Sequence, residues 1–226
     1  MAKKIIVSLI LLSTISFAQN KYYSNSGAKF AAGIEAGLFN GVGFNLNFLT
    51  SNFAEDFPFS AKLNIGLSYL DAGNPLDARK IFINNNTNGI PEQSGKTYSF
   101  ALDFLYKTSI LGLKRNHLYA GPRYVMFTGN FNFVGGNEDF DVTSNQWGVG
   151  VGLENYFKIV PAVDLVINLG YDYYISEALY GHDTSYSTDG LDVNPREDFT
   201  FADADKAVNQ PKYQAKAMIG FSYNLN

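Results

Sequence analysis

The 226-residue chain has no cysteine, 15% aromatic residues, 21 glycines and a formal charge of −4 from 17 basic and 21 acidic side chains. No disulfide staple is available to it, its acidic balance speaks against binding nucleic acid, and its aromatic, glycine-rich, charge-poor composition leans toward β structure. Beyond the amino terminus no stretch approaches the ~20 consecutive apolar residues of a membrane-spanning helix.

At the amino terminus Lys3 and Lys4 precede an apolar run from Ile5 to Leu12 and a small-residue exit, Ser16-Phe17-Ala18. This predicts a cleaved export signal over residues 1–18, since Ser8, Ser13, Thr14 and Ser16 interrupt the run too early for a membrane span. Sec-type export follows from it, with a short segment, 19–27, ahead of the folded part. No cysteine near the cut offers a site for lipoprotein acylation. Losing Lys3 and Lys4 takes the charge from −4 to −6.

From residue 28 onward eight segments alternate with period two, which predicts strands with two unlike faces. Residues 28–38 set Phe30, Ile34 and Leu38 against Lys29, Glu35 and glycines; 42–49 set Phe44, Leu46 and Phe48 against Asn45 and Asn47. In 58–70, Phe59, Leu63, Ile65, Leu67 and Tyr69 oppose Lys62 and Asn64, and in 97–107, Tyr98, Phe100, Leu102, Phe104 and Tyr106 oppose Ser99 and Asp103. Segment 117–127 sets Leu118, Ala120, Tyr124 and Met126 against His117, Tyr119, Gly121 and Arg123; 146–157 sets Trp147, Val149, Val151 and Leu153 against three glycines and Glu154. The last two, 163–174 and 212–225, carry Leu165, Ile167, Tyr171 and Tyr173, then Tyr213, Ala217, Ile219, Phe221 and Tyr223, opposite Asp164, Asn168, Asp172 and Lys216.

Connections 51–57, 108–116 and 158–162 are short, whereas 71–96, 128–145 and 175–211 are long; the first hairpin, at Asn40-Gly41, is tight. Short turns at one end and long loops at the other predict an all-β, eight-stranded antiparallel up-and-down transmembrane β-barrel over 28–226. A secreted, lipocalin-like soluble barrel has the same alternation, and the character of the faces decides between them. The polar face is mostly small, and its charges are of both signs: Glu35, Asp103, Glu154 and Asp172 against Lys62, Arg123 and Lys216. This suits a cramped interior spanned by ion pairs, with Asp103 or Glu35 as the expected partner of Lys62. On the apolar face aromatics gather at segment ends. Tyr69, Tyr98, Trp147, Tyr171, Tyr173 and Tyr213 lie beside the long loops, and Phe30, Phe48, Phe59, Tyr106, Phe157, Phe221 and Tyr223 beside the short turns. Two aromatic girdles around an aliphatic band are a lipid-facing surface. Pro122 is outward in mid-segment, where a bulge near Gly121-Pro122 is expected, and Asn155 is outward near a strand end.

Candidate chemistry is sparse. His117 reads as a structural interior residue. His182 has Asp183, Ser185 and Ser187 close in sequence, the residue types of a nucleophilic triad, but on a loop without the positioning that catalysis needs. The 175–211 connection is acidic and reads as a solvated surface loop; "DGLD" (189–192) and "DADK" (203–206) could supply oxygen ligands to a divalent cation, though at no calcium-loop spacing. The 71–96 connection, with "INNNTNGIPEQ" (83–93), reads as exposed turns and a partner surface. No cofactor is expected.

With "YAGPRYVMF" (119–127) and the closing "AKAMIGFSYNLN" (215–226), the chain resembles the small eight-stranded outer-membrane β-barrels, the group of the OmpA transmembrane domain and the OmpX-type proteins. The resemblance implies insertion by the barrel-assembly machinery, which reads an alternating last strand; Phe221 and Tyr223 keep the alternation, and the chain ends Leu225-Asn226. It also implies an outer-membrane location and contact with outer-membrane lipid; with no domain expected after the barrel, the peptidoglycan-binding module that full-length OmpA-like proteins carry is not expected here. The expected role is non-enzymatic: surface contact, envelope integrity or membership of an outer-membrane complex, with loops 71–96 and 175–211 toward another envelope protein. The alternatives are a narrow channel for small solutes and a lipid A-modifying enzyme.

Overall fold

The computed structural model describes residues 27–54, 56–83, 88–113 and 115–225; the export signal and most of the 19–27 segment lie outside them. Seven strands follow in order: β1 (Lys29–Phe39), β2 (Val42–Ser51), β3 (Phe59–Leu70), β4 (Ile90–Thr108), β5 (Asn116–Val134), β6 (Asp139–Val160) and β7 (Val163–Tyr174). Two short strands, β8 (Leu179–Tyr180) and β9 (Ser185–Tyr186), precede the last, β10 (Tyr213–Asn224); two helices, α1 (Pro75–Phe82) and α2 (Phe201–Ala207), sit in the long connections. Strands β1 to β7 and β10 pair antiparallel with their neighbours, β10 lies between β1 and β7, and the sheet closes into an eight-stranded barrel. Closure gives every spanning strand a partner on both sides, the condition for a sheet to cross hydrocarbon.

Local sequence explains the ends of the strands. Asn40 and Gly41 both take positive φ, 52° and 132°, so a two-residue turn joins β1 to β2 and its twist matches that of the strands. Pro122 is not accommodated by the expected bulge. The register with β4 is the same on either side of it, Ala101 facing Arg123 and Phe104 facing Ala120, and only the rungs between are missing. The carbonyls of Gly121 and Pro122 accept from Arg123 Nη1, at 3.3 and 3.2 Å. The register shift lies instead between Lys158 and Val160, at the β6–β7 turn.

Strands β4, β5 and β6 run longer than the alternation predicts, 19, 19 and 22 residues in place of 97–107, 117–127 and 146–157. A tilted membrane strand needs about 9–11 residues, so the three continue well past the barrel rim as a ribbon. The expected long connection 128–145 is therefore mostly strand, turning between Val134 and Asp139. At the rim the ribbon exchanges its faces. Within the barrel Tyr98, Tyr124, Met126 and Trp147 point outward; above it the outward positions are Lys96, Thr128, Asn130, Asp141 and Asn145, and the inward ones Phe127, Phe131, Phe133, Phe140 and Val142, all buried. Apolar outside and polar inside becomes the reverse, as it must where the surroundings change from lipid to water.

The long connections cover the barrel mouth. Helix α1 starts at the Asn74 cap, whose side chain accepts from Leu76 N and Asp77 N, with Pro75 in its first turn, a favoured start. It buries Ala78, Ile81 and Phe82; α2 buries Ala204 and Ala207. These join Ala72, Ile83, Phe127, Phe131, Phe133, Phe140, Val142, Leu179, Tyr186 and Val208 in one apolar cluster. Residues 71–83 and 175–211 are thus not simply exposed turns and a solvated loop, but a cap with its own core; residues 84–87 of the expected exposed turns lie outside the described residues.

Candidate functional site

Two layers of charge cross the barrel interior. In the layer toward the short turns, Lys62 Nζ lies 2.6 Å from Glu35 Oε1 and 2.5 Å from Glu154 Oε1, all three side chains 1% exposed. Asn168 Nδ2 donates to Glu35 Oε2 and Glu154 Oε1, both at 2.9 Å; Asn47 donates to Glu35 at 3.0 Å, and Tyr156 Oη to Glu154 at 2.7 Å. In the layer above, Arg123 Nη2 is 2.7 Å from Asp103 Oδ1, and its Nε donates to Asp172 Oδ1 at 2.9 Å. Asn64 donates to the other oxygen of Asp103 at 2.9 Å. Every buried carboxylate here meets a cation, as burial of charge requires.

The expected seven interior charges all lie inside the barrel, and Lys62 meets one of its two expected partners, Glu35, together with a further one, Glu154. Lys62 faces Asp103 in the β3–β4 register, yet it pairs with Glu35 and with Glu154 from across the barrel, while Asp103 goes to Arg123. Lys216 has neither: its ammonium lies 5.0 Å from the Tyr119 ring centre and 5.7 Å from that of Phe39, a cation–π arrangement. Tyr119 in turn donates to Asn168 at 2.9 Å. Glycines make this packing possible. A Cβ on Gly150 would collide with Asp172 Oδ1 and the Arg123 guanidinium, and one on Gly152 or Gly170 would strike the Tyr119 hydroxyl. Sequence reasoning missed the bidentate Arg115–Asp164 pair, at 2.5 and 2.8 Å, that sits at the short-turn end; Arg115 lies in a turn, outside the alternating pattern.

All thirteen expected girdle aromatics face outward, between 36% and 63% exposed. Several touch in pairs: Phe30 with Phe48, Phe59 with Tyr106, and Tyr213 with both Tyr171 and Tyr173. Aliphatic Leu63, Ile65, Val149, Val151 and Ile219 are exposed between them. A soluble barrel would bury these side chains and expose the charges. Asn155, also outward, accepts from Asn116 Nδ2 at 2.9 Å.

The loop residues do not assemble a catalytic set. His182 Nδ1 is 3.0 Å from Asp183 Oδ1, both largely exposed, while the Ser187 hydroxyl donates to Asp189 and its backbone N–H to Asp192 at 2.7 Å. The acidic side chains hold local structure. Asp203 accepts from Thr200 N at 2.9 Å and Thr200 Oγ1 at 2.6 Å, closing a capping box on α2. Those bonds hold its carboxyl below the ordinary range, as the Ser187 hydroxyl does for Asp189. Asp205 accepts from Gln210 at 2.6 Å and pairs with Lys212 at 2.7 Å. Two further contacts tie the 175–211 connection to α1: Tyr186 Oη donates to Ile81 O at 3.2 Å, and Arg196 Nη1 to Ile83 O at 2.5 Å. Burial pushes the Tyr186 hydroxyl above its ordinary range.

No protein-family model and no curated protein matches the chain. Among solved structures, a major outer membrane protein from Thermus thermophilus is similar at 26% identity and a TM-score of 0.70, over 88% of this chain and 100% of that one. The attachment invasion locus protein Ail of Yersinia pestis (15% identity, TM-score 0.45) and the neisserial surface protein NspA (15%, 0.39) are also found, each over 88% of this chain and 97% of its own. The fold is that of the small eight-stranded outer-membrane β-barrels.

Proposed function

We propose that the protein is a non-enzymatic integral outer-membrane barrel whose interior is closed to ions and whose work is done at its outer end by the ribbon and the cap. The observation that carries this reading is the pair of charged layers, in which Lys62 and Arg123 each bridge two carboxylates. Eight strands enclose a space that side chains fill, and an ion crossing it would have to displace both cations. On this reading Sec export and the barrel-assembly machinery deliver the chain. The long-loop end then faces outward, and segments 71–96 and 175–211 meet another envelope protein. A folded cap favours a partner role over a merely solvated loop, because a packed surface presents its side chains in fixed positions.

Planar-bilayer recording tests the closed interior: the refolded protein should show no steady conductance, and steady conductance by the unaltered protein would refute the reading. Co-purification from detergent-solubilised outer membrane tests the partner role. Capture of an envelope protein lost on deleting residues 76–82 supports it, and identical capture without them removes it. Lipid A from cells carrying His182→Ala should have an unchanged mass spectrum; a changed one would favour an enzyme.

A further inference from the structure

The two aromatic girdles differ in kind. Beside the long loops all six rings are tyrosine or tryptophan, whereas beside the short turns five of the seven are phenylalanine: Phe30, Phe48, Phe59, Phe157 and Phe221. A phenol or indole carries a polar group to the headgroups; a phenyl ring has none and belongs in hydrocarbon. The hydrocarbon boundary at the short-turn end therefore lies beyond the phenylalanine ring, toward the turns.

The turns carry side chains that meet it. The β2–β3 turn bends at Asn52 and Asp56, both at positive φ, 54° and 60°, and its two rings continue the girdle. Phe57 lies 5.5 Å from Phe59, centre to centre, and Phe53 lies 5.3 Å from Phe57. These two rings are 42% and 40% exposed, and Ile110 in the β4–β5 turn and Ile159 at the end of β6 are exposed as well. Cations stand among them. Lys29, Lys107 and Lys158, at the strand ends, are exposed and in no ion pair among the described residues, while Arg115 is held by Asp164. Against these three lysines the described residues of this end expose one carboxylate, Asp56.

An apolar surface that runs on past the girdle and ends in unpaired cations has the layering of one bilayer leaflet, acyl chains and then phosphates. We propose that the short-turn end docks on anionic phospholipid of its own leaflet, with the turns sunk to headgroup level and Lys29, Lys107 and Lys158 on the phosphates. Continuity with the girdle selects lipid over a protein partner, because Phe53 and Phe57 extend a surface that already faces hydrocarbon. Charge selects the headgroup: lysines near an anionic surface are attracted to it, whereas the 175–211 connection, with eight carboxylates against two cations, is not.

This rests on the integral-barrel reading, which Trp147 of the unaltered protein reports separately. In vesicles of lipids brominated at different depths, Phe57→Trp placed in a Trp147→Phe chain should be quenched by bromines near the headgroups. Emission unaffected at any depth, when Trp147 of the unaltered protein is quenched, puts the turn in water and overturns the docking. Failure of the barrel reading would instead leave Trp147 itself unquenched. The phosphate contact is read by lipid selectivity, which also decides if the tryptophan variant does not fold. In phosphatidylcholine vesicles at low salt, spin-labelled phosphatidylglycerol should associate with the unaltered protein about fivefold more strongly than spin-labelled phosphatidylcholine, the gain of one lysine near an anionic charge. Lys29→Gln, Lys107→Gln and Lys158→Gln together should bring the two lipids to parity. Equal association with the unaltered protein, or a preference that survives the triple change, overturns the proposal.

Discussion

Lys62 is the residue on which the interior turns. It is fully buried between two carboxylates, and breaking such a group by removing one partner typically costs about 3–5 kcal/mol, because an uncompensated charge stays behind. Lys62→Met should therefore destabilise the barrel by about that much in urea unfolding from vesicles. Adding Glu35→Gln and Glu154→Gln should recover a large part of the loss, since the triple change removes the two carboxylates that Lys62→Met leaves without their shared cation. A triple variant no more stable than Lys62→Met would show that shape rather than charge governs the position. Gly150 offers a steric counterpart: Gly150→Val must push Arg123 off Asp172 and should cost as much as Asp172→Ala, with no added loss when the two are combined. The alternation on β3 made Lys62 legible as an inward charge. Its partner from β6 was not legible, because strand register names neighbours along the sheet and Glu154 reaches Lys62 across the lumen.

At the scale of elements, the face reversal in β4, β5 and β6 explains both what the sequence pattern showed and where it stopped. The period stays at two through Val125 and Phe127, but the apolar residues move from the outward to the inward face. A search for one consistent apolar face therefore ends at the membrane rim. The same change locates the lipid boundary. An arginine on the lipid face near the bilayer midplane costs about 2–4 kcal/mol and little near the interface; Val151→Arg should show the first value and Asp141→Arg close to none. Equal costs would place the boundary elsewhere. The cap was less legible because its helices are short and lie in polar stretches, although Asn74-Pro75 and the Thr200/Asp203 pair are helix-start signals that could have been used. Phe82→Ala should cost the cap about 3–5 kcal/mol. Hydrogen exchange should then quicken in 71–83 and 179–208 while the barrel strands keep their protection. The α2 cap also has a pH signature. The Asp203 carboxyl is held below its unfolded value, so its contribution is complete above the ordinary carboxylate range and is lost as pH falls through the lower, folded value. Protection of the α2 amides, taken relative to intrinsic exchange at each pH, should fall in that acid window, and Asp203→Asn should abolish the fall.

The whole molecule is an inside-out protein below the rim and an ordinary one above it. Charges and amides fill the barrel, aliphatic and aromatic side chains coat it, and the cap restores an apolar core where water surrounds the chain. The barrel half was readable because lipid imposes one rule on all eight strands. The cap was not, because its core forms only when residues 72–83, 127–142 and 179–208 are brought together by the closed barrel. The central claim, that the aromatic-banded face meets lipid, has a built-in reporter. Trp147 is the only tryptophan in the chain, half exposed on the outward face of β6 and in contact with Tyr124 at the long-loop girdle. With the protein folded into vesicles of lipids brominated at different depths, its fluorescence should be quenched most by bromines near the headgroups and less by those near the bilayer centre. Emission unaffected by bromine at any depth would contradict the account.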